Sequence, residues 1–501
     1  MDYLLFIGLL SSAIAMRWIV ARYPYSGYNK PPMFGDFEAQ RHWMEVTVNL
    51  PINEWYQNSS SNNLTYWGLD YPLYQNSSSN NLTYWGLDYP LLTAYHAYIC
   101  GWISNKINPT WCALKESHGH ESSLHKLFMR YTVFIADLLI YYPAVFYVYR
   151  SDVLHKNVAT KKFTVLLTNL FYPLLILIDH GHFQYNSISL GLALIAFVMA
   201  TQSTSFLTSA FFFTLSLNYK QMELYHAVPI FVYLLSAYCF EQRKIKLKTF
   251  LSLGTIVILT FFIIWVPVLK HDPIAVLKRL FPFERGLYED KVANFWCTIN
   301  LVVKLRSKFT HEALAKICLL TTSLSILPSC FMLFRRPTVR NFYISLFNVS
   351  LCFYLFSFQV HEKTILLPCL PLMLLTATYP VECFSFLQFA MISVFPLMVK
   401  DNLVLIFWLT FIGFSILALQ RIYVHLNQVS LFQLFFSILC ITATLPLLIA
   451  AIYIQPPSRY PDLWIVLMSV CSCAYFLIIL AQFHIYQFKE TTFKQNPTKK
   501  D

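Results

Sequence analysis

The chain has 501 residues, of which 57% are hydrophobic and only 12% charged, and its mean hydropathy is +0.51. Those values exclude a soluble domain with a polar exterior and describe an all-α polytopic membrane protein, because backbone in hydrocarbon must satisfy its own polar groups. The net charge of +12 does not point to nucleic acid: Lys and Arg gather in short loops and the tail, where they orient a membrane chain.

The first apolar run, Tyr3 to Val20, is long enough to span. Ala13-Ile14-Ala15 resembles a signal-cleavage site, but no basic stretch precedes the run, so a retained helix is the better reading. A polar loop over residues 21–126 follows, and within it Leu91 to Ile103 reads as a helix lying in the interface, being apolar but short and rich in Tyr and His. Further runs lie at 127–149, 163–178, 187–201, 204–217, 223–240, 249–270, 313–334, 341–358, 364–380, 383–399, 402–420, 431–454 and 463–487, which makes about 14 spans. Four basic clusters are assigned to the cytosol: Arg150 with Lys156, Lys161 and Lys162; Arg243 with Lys244, Lys246 and Lys248; Arg335 with Arg336 and Arg340; and Lys494 with Lys499 and Lys500. The runs then alternate without conflict, and both termini are cytosolic. The chain is expected to be one membrane domain, with the luminal loop at 21–126, a catalytic helical module at 127–310 and a C-terminal module at 311–501.

The loop carries glycosylation sequons at Asn58, Asn63, Asn76 and Asn81, which fit a secretory lumen. It also contains Tyr56–Leu73 repeated without a change as Tyr74–Leu91, a period of 18 residues that is too short for the usual solenoid units. A recent duplication or a gene-model error explains it, and Trp85–Pro90 is taken as the working copy because it abuts the Leu91 helix. Nine of the twelve Cys fall in apolar runs; only Cys100, Cys112 and Cys297 lie in polar segments, where a Cys100–Cys112 bridge is an open alternative.

Six short polar stretches interrupt the lipid-like sequence, and the threading puts all of them on the luminal side. They are Gly35–Trp43, Trp85–Pro90, Asp179–Asn186, Asn218–Glu223, Arg285–Lys291 and Gln359–Lys363. A membrane protein that gathers its ionisable groups on one face builds a site there. Asp36, just after the first helix, is a candidate general base, with helix capping as the alternative. His361 and Lys363 suit an anionic group, although Lys363 could instead pair with Glu362. The DxE spacing of Asp36 and Glu38 and the HxH of His180 and His182 offer too few ligands for a metal.

The runs PPMFGDFEAQRHWMEVT, YWGLDYP, LIDHGHFQYNS, NYKQMELYHA, RLFPFERGLYEDKVANFWC and YLFSFQVHEKTIL resemble the endoplasmic-reticulum glucosyltransferases that build the lipid-linked precursor of N-glycans, over most of residues 25–380. The match is nearest the member that adds the first glucose. It implies the GT-C glycosyltransferase fold, dolichyl-phosphate glucose as donor and a nine-mannose dolichyl-pyrophosphate oligosaccharide as acceptor. It further implies an α-1,3 product, no metal and no cofactor. Leu91 stands where the family usually has a second Pro. The second-glucose sister enzyme is the alternative; a transporter would place its charges at midplane, and a lectin-like chaperone would tolerate loss of Asp36.

Under this reading Asp36 deprotonates the acceptor hydroxyl. The expected substrate-binding residues are Glu38, Arg41, Trp85, Asp88, Tyr89, Asp179, His182, Gln184, Asn186, Lys220, Gln221, Glu223, Arg285, His361 and Lys363. Trp43, Trp85 and Tyr89 offer faces to sugar rings or belong to an interfacial belt, Asp88 binds sugar or caps a turn, and Arg285 and Lys291 have Glu284, Glu289 and Asp290 close enough to neutralise them. The spans from residue 383 onward carry no motif tied to chemistry and are assigned to packing or lipid contact.

Overall fold

A computed structural model describes residues 3–32, 34–57, 84–151, 158–241, 244–281 and 291–492. Each apolar run is a helix, and among the described residues the strands amount to one hairpin, Phe240–Glu241 against Lys244–Ile245. Among the described residues ten helices are long and apolar enough to cross a membrane, fewer than the roughly fourteen spans expected. The shortfall is one of length: Asn186–Ala200, Phe206–Tyr219, Leu366–Leu375 and Pro380–Ser393 are shorter, and two continue in neighbouring pieces, Glu362–Ile365 and Phe395–Lys400. The lipid-like face is clearest on Leu247–Leu269, where Leu251, Ile258, Phe262 and Ile263 are exposed.

Several charges within the apolar layer are paired, which offsets the cost of an isolated ion in a low-dielectric bundle. Arg17, on the first helix, lies 2.5 Å from Asp137, and its Nη1 donates to the Leu170 carbonyl at 2.9 Å. His180 Nε2 reaches the same Asp137 oxygen at 3.0 Å. Asp137 and His180 both sit on π-helical turns, Asp137–Tyr141 and Leu177–Phe183, whose extra residue re-aims side chains that a regular helix would space differently. In the C-terminal half Gln487 donates to the Ser329 carbonyl at 2.9 Å and accepts from Ser329 Oγ at 2.7 Å and Asn348 Nδ2 at 3.0 Å, joining three helices by hydrogen bonds.

The long loop is built on two helices, Gly35–Asn49 and Leu91–Ile107, packed on each other. Leu91, Ala94, Ala97, Cys100 and Gly101 form the buried face of the second, while Tyr98, Ile99, Trp102 and Ile103 are exposed on the other. Gly101 sets how closely they approach, since a Cβ there would lie 2.7 Å from the Met44 carbonyl oxygen and 2.7 Å from Val48. The alternative of a Cys100–Cys112 bridge is not realised: both thiols are free, and Cys112 Sγ donates to Ser104 Oγ at 3.4 Å.

Polar stretches far apart in sequence meet at one end of this bundle. The turn at Gln359–Lys363 follows the Val339–Phe356 helix, and the basic residues Arg335, Arg336 and Arg340 lie near its start, about 27 Å away at 1.5 Å per residue. Substituting Gly101→Ala should force the two loop helices apart and cost about 1–3 kcal/mol, read as a lower midpoint in thermal unfolding of the detergent-solubilised protein. Gly254→Ala, where a Cβ meets nothing within 4 Å, should leave the midpoint unchanged or slightly higher.

Candidate active site

Asp36 enters the site on the first turn of the Gly35–Asn49 helix rather than as its cap, a position held by Phe34. Gly35 makes this entry with φ +69°, and a Cβ on it would lie 2.6 Å from Ser26 Oγ, so the chain at residues 26–27 folds directly over the helix start. Ser26 ties the two strands of backbone together: its Oγ accepts from Asp36 N at 3.2 Å and its own N–H donates to the His182 carbonyl at 3.0 Å.

Three side chains converge on one oxygen of Asp36. Lys363 Nζ lies 2.5 Å from Oδ2, Gln184 Nε2 donates to it at 2.5 Å, and His182 Nε2 is 3.0 Å away. Asp36 Oδ1 has no partner among the described residues and is not sealed from solvent, and the side chain as a whole is 24% exposed. Burial alone would push the Asp36 carboxyl up, but Lys363 and His182 beside it overcome that and hold it well below the usual carboxylate range. Burial likewise works against the Lys363 ammonium, and Asp36 outweighs it and pushes Lys363 up. The pair is therefore an ion pair with one carboxylate oxygen free. Glu362, the alternative partner for Lys363, instead meets His361 Nδ1 at 3.0 Å, and His361 is 27% exposed at the edge of the group.

His182 was expected to touch substrate, but it is 2% exposed and both ring nitrogens are occupied, Nε2 by Asp36 and Nδ1 by Asp401 at 2.5 Å. Asp401 lies in a turn that the sequence reading assigned to packing. The only signal for it was a lone carboxylate between two apolar runs on the side where the other polar stretches were placed.

A second group adjoins the first. Lys220 Nζ donates to Asn186 Oδ1 and stands 5.0 Å above the Tyr89 ring, which packs edge-on against Trp43; removal from water pushes Lys220 down to about 8. Gln221 Nε2 donates to the Asp88 carbonyl at 2.9 Å, and Trp43 Nε1 donates to the Gly86 carbonyl at 3.2 Å, so the Trp85–Pro90 copy of the repeat is built into the site wall. The earlier copy, from Asn58 on, lies outside the described residues, as does Arg285. Trp85 is buried in this wall. Lys291 meets Asp462 at 2.9 Å.

Four expected contacts have different work. Glu38 and Arg41 are buried against each other at 2.6 Å; Arg41 also reaches Glu45 at 2.7 Å and Ser117, and Glu38 accepts from Tyr84 and Gly119 N. Asp179 accepts from Asn186 Nδ2 and Ser187 N, both at 2.7 Å, fixing the start of the next helix. Glu223 pairs with His226 at 2.8 Å, whose Nε2 lies 3.0 Å from the Leu367 carbonyl. These are buried carboxylates with partners that hold loops and helix ends together. Glu38 thus turns away from Asp36, and DxE makes no chelating pair. His42, Glu45 and His118 have ligand atoms within 4.8 Å, but the Glu45 carboxylate is already balanced by Arg41. Arg41→Ala should strand Glu38 and Glu45 and cost about 3–5 kcal/mol, seen as a large drop in the thermal midpoint with loss of folded protein rather than a selective loss of turnover.

The chain matches the ALG6, ALG8 glycosyltransferase family over residues 13–75 and 74–482, the two segments meeting where the two copies of the repeat adjoin. It is similar to the dolichyl pyrophosphate Man9GlcNAc2 alpha-1,3-glucosyltransferase of Gallus gallus, with 41% identity over 514 residues covering 97% of each chain. A probable enzyme of the same name from Drosophila melanogaster is 42% identical over 498 residues, spanning 96% of this chain and 98% of that one, and the Mus musculus enzyme is 41% identical over 503 residues, 94% of each. A polytopic helical bundle with an ionised carboxylate at one end, matched over nearly its full length, belongs to the ALG6, ALG8 glycosyltransferase family of membrane enzymes.

Proposed function

We propose that this chain transfers glucose from dolichyl-phosphate glucose to a Man9GlcNAc2 dolichyl-pyrophosphate oligosaccharide in α-1,3 linkage, at the luminal face of the endoplasmic-reticulum membrane. The names of its relatives support the acceptor and the linkage. The observation that carries the chemistry is the Asp36 carboxylate, with Oδ2 held by three donors and Oδ1 open.

A β-linked donor and an α-linked product require inversion, and inversion requires one base. Asp36 Oδ1 takes the proton of the attacking hydroxyl as its oxygen bonds to the glucose C1 and the C1–O bond to phosphate breaks. The leaving group departs as a phosphate monoester, whose growing charge needs donors rather than an acid. Lys363 and the half-exposed His361 serve it. Lys363 is thereby shared: the donor phosphate competes with Asp36 for the ammonium, and Asp36 gains basicity only once the donor is in place. Lys220, Asn186, Tyr89 and the Asp88 segment form the adjoining wall, where sugar hydroxyls and ring faces are met. His182 and Gln184 act by holding Asp36, and neither needs to touch sugar.

Asp36→Asn should lower glucose transfer from synthetic donor to nine-mannose acceptor by about 10²–10⁴-fold without a comparable loss of stability, and near wild-type turnover would remove Asp36 from the mechanism. Because the carboxyl is held well below its ordinary value in the free enzyme, it stays ionised through neutrality and the acid limb of kcat/KM lies below the usual carboxylate range. Lys363→Gln removes a cation that favours the ionised form, so that limb should move to higher pH while the Michaelis constant for the donor rises. A chelator should leave transfer unchanged.

A further inference from the structure

The geometry points to Asp401 as a positioning residue for the glucosyl transfer, acting through His182 on the Asp36 base. The inference rests on the reading of Asp36 given above and extends it to a turn between two C-terminal helices. Asp401 follows the Phe395–Lys400 helix and precedes Val404–Val424. Its side chain is 2% exposed, and its Oδ2 lies 2.5 Å from His182 Nδ1.

The turn is rigidly placed. Asp401 N donates to the Leu397 carbonyl at 3.1 Å, Asn402 N to Val399 at 3.2 Å and Leu403 N to Met398 at 2.8 Å, with Asn402 in the left-handed region at φ 59°. Leu403, fully buried, packs against Gly181, where a Cβ would stand 3.0 Å from Leu403 Cδ1. Lys30 Nζ donates to the Lys400 carbonyl, and the His182 carbonyl accepts from Ser26 N. The turn and the ring are thus both docked on the segment that leads into Asp36.

The chemistry follows from the two faces of one imidazole. A carboxylate on Nδ1 requires a proton there and fixes the plane of the ring. The opposite nitrogen lies 3.0 Å from both Asp36 Oδ2 and Lys363 Nζ, so with Nδ1 committed to Asp401 the Nε2 edge rests against the Asp36–Lys363 ion pair and the ring is clamped between that pair and Asp401. The consequence for the reaction is directional: Oδ2 is saturated by His182, Gln184 and Lys363, and Oδ1 is the oxygen left to face the acceptor hydroxyl. Without Asp401 the ring can tip or exchange its tautomer, and the Asp36 carboxylate can rotate away from that alignment. Nothing in this arrangement requires Asp401 or His182 to reach the sugar.

Steady-state kinetics of the full-length enzyme in detergent with dolichyl-phosphate glucose test this. Asp401→Asn should lower kcat by about 10–100-fold, the usual range for residues that orient a reacting group, with the donor KM within about twofold of wild type. Asp401→Glu should recover part of the loss. His182→Gln, which leaves the turn its backbone anchors, should give a similar kcat loss, and the double variant should be no worse than His182→Gln alone, since both act through one ring. An Asp401→Asn enzyme with wild-type kcat, a His182→Gln enzyme with wild-type kcat, or losses that multiply in the double variant would each overturn the inference. Should Asp401→Asn fail to fold, the His182→Gln outcome still decides. Asp36→Asn separates the two readings: if it is active the base assignment fails, and if it is inactive while Asp401→Asn is normal, only the role of Asp401 falls.

Discussion

An ionised carboxylate in a largely apolar bundle needs cations at contact distance, and Asp36 recruits them from segments 146 and 327 residues away. That demand assembles the site. The first loop, the turn after the Ala159–Phe183 span and the turn at residues 359–363 have no other reason to share a point in space, yet His182, Gln184 and Lys363 all end on one Asp36 oxygen. Asp401 adds a fourth segment through the far nitrogen of His182.

The same electrostatic constraint acts elsewhere with a different result. Arg17 with Asp137 and His180, Arg41 with Glu38 and Glu45, and Glu223 with His226 are closed groups whose members face one another and are buried. They hold helices and the long loop in register. Asp36 differs in exposure: Asp137 Oδ1 and Glu223 Oε1 also lack partners but are sealed from solvent, whereas Asp36 Oδ1, beside an oxygen that three donors share, is not. Glu38, two residues away, is buried with donors on both oxygens.

Much of this was legible in the residues. The apolar runs are the helices, because hydrocarbon leaves the backbone no other choice, and threading by basic loops brought Asp36, His182 and Lys363 to one end. The Trp85–Pro90 copy, adjacent to the Leu91 helix, is joined to Trp43 and Gln221; the earlier copy lies outside the described residues. Chemical type read without partners did not show that Glu38, Arg41, Asp179 and Glu223, expected to meet sugar, are buried and bonded to neighbouring side chains. The reverse error hid Asp401, a lone carboxylate in a turn between apolar runs.

The sequence by itself determined that this is a membrane-spanning helical enzyme of recognisable lineage, and which ionisable groups it must accommodate at one end. Those follow from composition, run length and local motif, all properties of neighbouring residues. Only the tertiary structure decided which charge meets which, and which oxygen stays free. A buried ion's partner is chosen by helix placement and turn geometry across hundreds of residues, and no local pattern encodes that choice.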